Sequence, residues 1–237
     1  MKILAVDSSS ATASAAVVKD GKKVAEFFVN AGLTHSETLA PMIKSVLDCS
    51  ATRAEDIDLY AVTVGPGSFT GLRIGLSTIK AMALANNKPC VGVSSLHALA
   101  LNTDKSEKIV CACMDARRGG VYNAIFEVKG GKIIRITQDR AIYVEDLITQ
   151  LRNSSNVVEF VGDGALICYN SMASGYSTDN ISLISEKKDM YIKSSNVALT
   201  AEEMYNQGIF DDACSLSPSY IRVPQAERLL NENKLKV

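Results

Sequence analysis

The chain has 237 residues, 47% of them hydrophobic and 22% charged. That makeup excludes a disordered polymer and allows one large domain or two lobes of roughly 100 to 130 residues. A formal net charge of −1 provides no global attraction to nucleic acid or to an acidic membrane, so any RNA contact needs a local patch or another subunit.

The opening MKILAVDSS reads directly as a strand and not as a signal peptide, and no apolar run approaches the roughly 20 residues of a spanning helix. Ile3 to Val6 is apolar throughout and ends in Asp7 and Ser8-Ser9-Ser10. Thr12 to Val18 is a second predicted strand, Asp20-Gly21 a hairpin turn and Lys22 to Val29 a third strand. Three consecutive strands are an unusual start for a doubly wound nucleotide fold, which passes from its first strand into a helix. A helix follows. Thr34-His35-Ser36-Glu37 has capping-box spacing, and Leu39, Met42, Ile43, Val46 and Leu47 share an apolar face. Pro41 implies either a kink or a start nearer Thr38.

Ala61 to Val64 is the next buried strand. It turns through Gly65-Pro66-Gly67 into a helix that Ser68 or Thr70 can cap, with Leu72, Ile74, Leu76, Ile79, Met82 and Ala83 at helical spacing. Strand, glycine turn and helix in that order suit a phosphate site and suit close packing equally. Asn86 to Pro89 ends the helix, Cys90 to Val93 is a short strand, and Ser94-Ser95 can cap a short helix through Leu101. The polar stretch Thr103 to Lys108 marks a boundary between lobes, residues 1–103 and 104–237.

The second half restarts the opening pattern: strand Ile109 to Met114, then Asp115 and Gly119-Gly120, strands Val121 to Val128 and Lys132 to Ile136 around Gly130-Gly131, and helix Tyr143 to Leu151. A strand Val157 to Val161 leads through Gly162-Asp163-Gly164 to a short helix Ala165 to Tyr169. Ser171 to Ser182 has turn character, Asn196 to Gln207 reads as a late helix able to pack back on the first lobe, and Ser217 to Arg222 as extended chain. The recurrence predicts a duplicated mixed α/β lobe, although the two halves share no residue-by-residue repeat.

Asp7 and Asp115 each follow a buried strand. Such a carboxylate either accepts backbone hydrogen bonds from the turn after it or holds a hydrated metal in an ATPase. No lysine-bearing GxxxxGK[ST] motif accompanies them. Gly71 and Gly75 lie one helical turn apart, and each costs about 1 kcal/mol against alanine, so close packing on another helix or approach to a ligand must offset them. Packing is the better fit, in this chain or against another subunit. A leucine at either position is then expected to disrupt dimerisation and leave the lobe folded. His35 and His97 have no metal-spaced partners, and HExxH, CxxC and G-x-S-x-G are absent. Cys111 and Cys113 alternate on one strand and share a core face. Arg117-Arg118 is a basic turn, either solvated or in contact with phosphate or RNA.

Taken in order, ILAVDSSSATASAAV from Ile3, HSETLAPMI from His35, GPGSFTGLRIGLSTIKAMALA from Gly65 to Ala85, VGVSSLHALA from Val91, MDARRGGVYNAIF from Met114 and PSYIR from Pro218 to Arg222 closely resemble the bacterial TsaB (YeaZ) family. The likeness runs over essentially the whole chain. It implies an actin-like (ASKHA) α/β fold of two RNase H-like lobes, the second reduced.

The resemblance also implies a non-catalytic subunit that supports TsaD in threonylcarbamoyl transfer to N6 of adenine 37, in tRNAs reading codons that start with A. The implied partners are TsaD in a heterodimer, TsaE in a ternary complex and a second copy when the chain is alone, with tRNA met through the complex. The chain requires no cofactor of its own, and ATP or ADP and metal belong to the partner subunits. By carry-over, the interface with TsaD or a second copy involves His35, Leu39, Met42, Ile43, Val46, Thr70, Gly71, Arg73, Ile74, Gly75, Thr78 and Met82. Asp7, Ser9, Gly65, Gly67, Gly162 and Gly164 are candidates for a vestigial nucleotide site. TsaD-like proteins hold metal through two histidines one helical turn apart, whereas here His35 is followed at that spacing by Leu39, so no metal ligand set is expected. The competing reading is an actin-fold ATPase or kinase. A metallopeptidase fails for want of ligands or nucleophile. A reducing cytoplasm is the expected compartment.

Overall fold

The computed structural model describes residues 1–152, 154, 156–174, 180–183 and 187–222. Strands β1 (Lys2–Asp7), β2 (Ala13–Lys19) and β3 (Lys22–Val29) form an antiparallel meander. Asp20 and Gly21 both take left-handed angles at its second turn, which matches the twist of a two-residue hairpin. Helix α1 (His35–Cys49) starts after Thr34, whose backbone N–H and hydroxyl both donate to the Glu37 carboxylate, at 3.2 and 2.6 Å. The helix therefore begins at His35 despite Pro41, which lies on its exposed side.

Strand β4 (Leu59–Gly65), helix α2 (Phe69–Asn86), strand β5 (Cys90–Ser94) and helix α3 (Ser95–Ala100) complete the first lobe. β4 and β5 join β1 in parallel, giving the strand order β3-β2-β1-β4-β5.

The second lobe repeats this order. Its strands are β6 (Lys108–Asp115), β7 (Gly120–Lys129), β8 (Lys132–Arg135), β9 (Arg140–Tyr143), β10 (Val158–Val161) and β11 (Ile181–Leu183). They line up as β8-β7-β6-β10-β11, with β9 paired to the start of β7 and β8 to its end. Two short strands thus share the edge position that β3 holds alone in the first lobe. Helices α4 (Val144–Leu151) and α5 (Ala165–Ala173) span 8 and 9 residues, against 15 and 18 for α1 and α2, so the second sheet carries the shorter pair of outer helices. Sequence patterning missed β9 and β11. Both are too short to show an alternation, and β11 sits inside a polar segment whose residues 175–179 lie outside the described ones. Residues 223–237 of the second lobe as drawn from sequence lie outside them too.

Helix α6 (Ser194–Asn206) does not stay with the second sheet. It packs against β1, β2 and β5 of the first lobe and against α3. One apolar core therefore runs from Ile3, Ala5 and Leu59 through Leu96, Leu99, Val197 and Ala201 to Val110, Ala112 and Phe126. The layers are α1 and α2, the first sheet, α3 with α6, the second sheet, and α4 with α5. Burying apolar area on both faces of each sheet joins the lobes through a shared central layer.

Candidate functional site

The elements that carry the sequence motifs converge at the end of β1. Asp7 is fully buried. Its Oδ1 accepts from the Ser9 N–H at 3.1 Å, the Ser9 hydroxyl at 2.7 Å and the Thr63 hydroxyl at 2.6 Å. Its Oδ2 has no partner among the described residues. Burial pushes the Asp7 carboxyl above its ordinary range, against the lowering effect of the three donors. The serine turn is itself engaged. Ser9 O accepts from the Ser68 N–H at 2.7 Å, Ser10 O lies 2.8 Å from His35 Nε2, and the Ser8 hydroxyl donates to Gly71 O at 2.8 Å.

Helix α2 is drawn onto this turn by its glycines. A Cβ at Gly67 would stand 2.2 Å from Ser9 O, one at Gly71 2.0 Å from Ser8 O, and one at Gly75 2.5 Å from Ser8 Oγ. Ser68 is the cap, accepting from the Gly71 N–H at 3.3 Å. The glycine stripe therefore meets the β1–β2 turn of its own lobe. This corrects the expectation that Gly71 and Gly75 face another subunit. Sequence spacing shows which residues share a helix face but not which element covers it.

The three other candidate glycines also meet close neighbours. A Cβ at Gly65 would be 2.5 Å from Ser219 O; at Gly162, 2.0 Å from Cys113 O; at Gly164, 3.0 Å from the Met114 carbonyl carbon. Asp7, Ser9 and Gly67 are thus brought together in the first lobe, Gly65 lies under the C-terminal segment, and Gly162 and Gly164 lie in the second lobe beside the end of β6. Asp115 gives its N–H to Asp163 Oδ1 at 3.0 Å and accepts from the Arg117 N–H at 2.7 Å, the turn-capping role. Arg117 and Arg118 both adopt left-handed angles and are exposed beside it.

The extended segment near the end, legible from sequence only as extended, proves to be a strap between the lobes. Ser219 N–H donates to Val64 O at 2.8 Å. The Tyr220 ring packs on Phe69 at 4.8 Å, and its hydroxyl accepts from Arg73 Nε at 2.8 Å. Arg222 crosses to the second lobe, where it donates to Ala116 O at 2.6 Å and lies over the Tyr122 ring.

The interface residues taken from sequence divide into two groups. Leu39, Met42, Ile43 and Val46 of α1 and Gly71 and Gly75 of α2 are buried in the first lobe's own core. As surface residues they are a correction: an amphipathic helix buries its apolar stripe against its own sheet first. His35, Ile74, Thr78 and Met82 are half-buried, and Thr70 and Arg73 are exposed. Ser36, Thr70, Arg73, Ile74, Ser77 and Thr78 line an open hollow of about 480 Å³ along the outer side of α2.

Among the described residues no cluster of three His, Cys, Asp or Glu could hold a metal ion, and no helix is long and apolar enough to cross a membrane. Cys111 and Cys113 do share a core face, with sulfurs 3.6 Å apart. The His97 ring packs 5.5 Å from Phe126, and no described protein group hydrogen-bonds its ring nitrogens.

Two sheets of matching strand order around a shared helical layer, with the β1–β2 turn folded under a glycine-bearing helix, define an α/β protein of actin-like (ASKHA) fold. Solved structures agree at the level of fold. A Pseudomonas aeruginosa protein described as similar to peptidase YEAZ superposes with a TM-score of 0.80 at 22% identity, covering 93% of this chain and 99% of that one. Component A of the Acidaminococcus fermentans (R)-2-hydroxyglutaryl-CoA dehydratase reaches 0.50 at 13% identity over 87% and 99%. The model of the TsaD family, tRNA N6-adenosine threonylcarbamoyltransferase, matches residues 30–233. The tRNA threonylcarbamoyladenosine biosynthesis protein TsaB of Bacillus subtilis is 32% identical over 162 residues, 68% of this chain and 71% of that protein. The Escherichia coli TsaB is 36% identical over 129 residues, 54% and 55% of the two chains. The chain belongs to the TsaB (YeaZ) family of tRNA threonylcarbamoyladenosine biosynthesis proteins.

Proposed function

We propose that this chain is a non-catalytic subunit that binds a TsaD-type threonylcarbamoyltransferase and supports transfer of the threonylcarbamoyl group to N6 of adenine 37 in tRNAs reading ANN codons. One observation carries the reading of how it binds. The outer side of α2 presents Thr70, Arg73, Ile74, Ser77 and Thr78 around a hollow left uncovered by the described residues, while the opposite side is anchored to β1 and its turn. A half-buried isoleucine ringed by hydroxyls and one arginine has the makeup of an interface centre with a polar rim. The anchored side holds this surface rigid, so partner binding orders little that is not already ordered.

In this reading the nucleotide and metal of the reaction sit in TsaD and in TsaE, which joins as a third subunit, and tRNA is met through the complex. The same hollow pairs two copies of the chain when TsaD is missing, and the complex works in the cytoplasm. Support for assigning chemistry to the partner comes from Asp7, whose three donors are all supplied by Ser9 and Thr63 of this chain.

The test is an Ile74→Glu, Thr78→Arg double variant with TsaD from the same source. It should keep a native far-UV circular dichroism spectrum, bind TsaD at least tenfold more weakly by titration calorimetry, and lose tRNA modification in the reconstituted mixture in proportion. A Lys132→Glu variant, on the far edge of the second sheet, should do neither. Unchanged TsaD affinity in the double variant would overturn the assignment of this surface. ATP hydrolysis by the purified chain alone, abolished by Asp7→Asn, would overturn the non-catalytic reading.

A further inference from the structure

The strap divides the space between the lobes. On one side Pro66, Phe69, Tyr122, Tyr220 and Arg222 close around it without room for a water molecule. On the other a pocket of about 320 Å³ remains, near the lower end of the range for small-molecule sites. Its walls come from every layer that meets there: His97 from α3, Arg135 from the end of β8, Gln138 and Asp139 from the β8–β9 connection, Thr200 and Met204 from α6, and Ser219 from the strap.

The polar groups fall into two sets. Arg135 and Asp139 form an ion pair at 2.5 Å, and both are tied to the Ser94 hydroxyl, which donates to Asp139 Oδ2 at 2.6 Å and accepts from Arg135 Nη2 at 3.0 Å. Their charges cancel and their positions are locked. The guanidinium lies 4.7 Å over the Phe126 ring centroid, as a flat, rigid plate. The second set is unpaired. Thr200 Oγ1 is buried without a partner, and the His97 ring has no hydrogen bond among the described residues. Burial, aided by the Arg135 charge, lowers the imidazole to about 4, so it is neutral at physiological pH and presents one donor and one acceptor. A buried hydroxyl left unpaired costs stability unless something arrives to pair it.

We propose that this inter-lobe pocket binds an uncharged planar heterocycle of nucleobase or nucleoside size, stacked on the Arg135 guanidinium and hydrogen-bonded by His97, Gln138 and Thr200. A neutral imidazole and an internally cancelled ion pair favour neither an anion nor a cation. A guanidinium plane backed by an aromatic ring is a stacking surface for a base, and a glutamine amide can pair with a base edge. The site stands apart from the α2 hollow and does not depend on TsaD.

The four common ribonucleosides are the probes, titrated into the full chain by saturation-transfer NMR and calorimetry at up to about 1 mM, the weak end of specific affinity. At least one should bind. Thr200→Val and Gln138→Ala should each weaken it fivefold or more, and Gln138 is exposed, so its loss leaves folding intact. The 5′-monophosphate of the best nucleoside should gain less than threefold. No binding by any nucleoside, or binding indifferent to both substitutions, overturns the proposal. A monophosphate that binds more than tenfold tighter than its nucleoside overturns the uncharged class.

Discussion

A Gly71→Leu chain is expected to be strongly destabilised, and not a chain of unchanged stability that has lost an interface. The added Cβ would stand 2.0 Å from the Ser8 carbonyl oxygen and 3.1 Å from His35 Cδ2. The first is a backbone atom of the turn that holds Asp7 and cannot swing aside like a side-chain tip. Overpacking of this kind costs about 1–3 kcal/mol and more where backbone must move, against a total stability of about 5–15 kcal/mol. Even Gly71→Ala should lower the urea midpoint measurably. Gly75 supplies an internal control. Its Cβ would meet Ser8 Oγ at 2.5 Å, a side-chain atom, so Ser8→Ala should recover much of the loss in Gly75→Ala and little of that in Gly71→Ala. Double-mutant denaturation measures this coupling. A stable, monomeric Gly71→Leu protein would show that the helix does not rest on the turn as described.

Asp7 should respond in opposite directions to two substitutions. Asp7→Ala leaves the Ser9 N–H and the hydroxyls of Ser9 and Thr63 without their acceptor in a buried site, at about 1–3 kcal/mol for each donor left unpaired. Asp7→Asn keeps an oxygen for those donors and removes a charge that burial disfavours. Because the folded carboxyl is held above its unfolded value of 3.8, its contribution to stability is complete below that pH and is lost as pH rises through the folded value. Asp7→Asn should therefore match the parent chain in acid and exceed it at pH 7, the gap opening upward from about pH 4. Denaturant titrations across that range check it. An asparagine variant less stable than the parent at pH 7 would overturn the reading that burial disfavours the charge of this carboxylate.

Much of the architecture was legible in the residues. Asp20-Gly21 marked a hairpin, Thr34 to Glu37 a helix start that Pro41 left open until the structure placed it at His35, and the repeat of strand, aspartate and hairpin at Ile109 to Ile136 marked a second lobe of like order. These signals are local: each depends on a few neighbouring backbone angles or on a periodicity carried within one element. The short strands Arg140–Tyr143 and Ile181–Leu183 escaped because their pairing comes from the neighbouring strand and not from their own pattern.

Chain order by itself determined the recurring α/β lobe, the glycine stripe on α2 and the family likeness. Only the tertiary structure decided what the stripe rests on, since a helix face is periodic in sequence while its neighbour, here Ser8, lies more than sixty residues away. The same holds for the strap, for Thr63 beneath Asp7, and for the pocket that His97, Arg135 and Thr200 share. The glycines from Gly65 to Gly75 announced a close approach. Long-range packing alone settled that Gly67, Gly71 and Gly75 approach the serine turn of their own lobe, which leaves the other side of the helix open among the described residues.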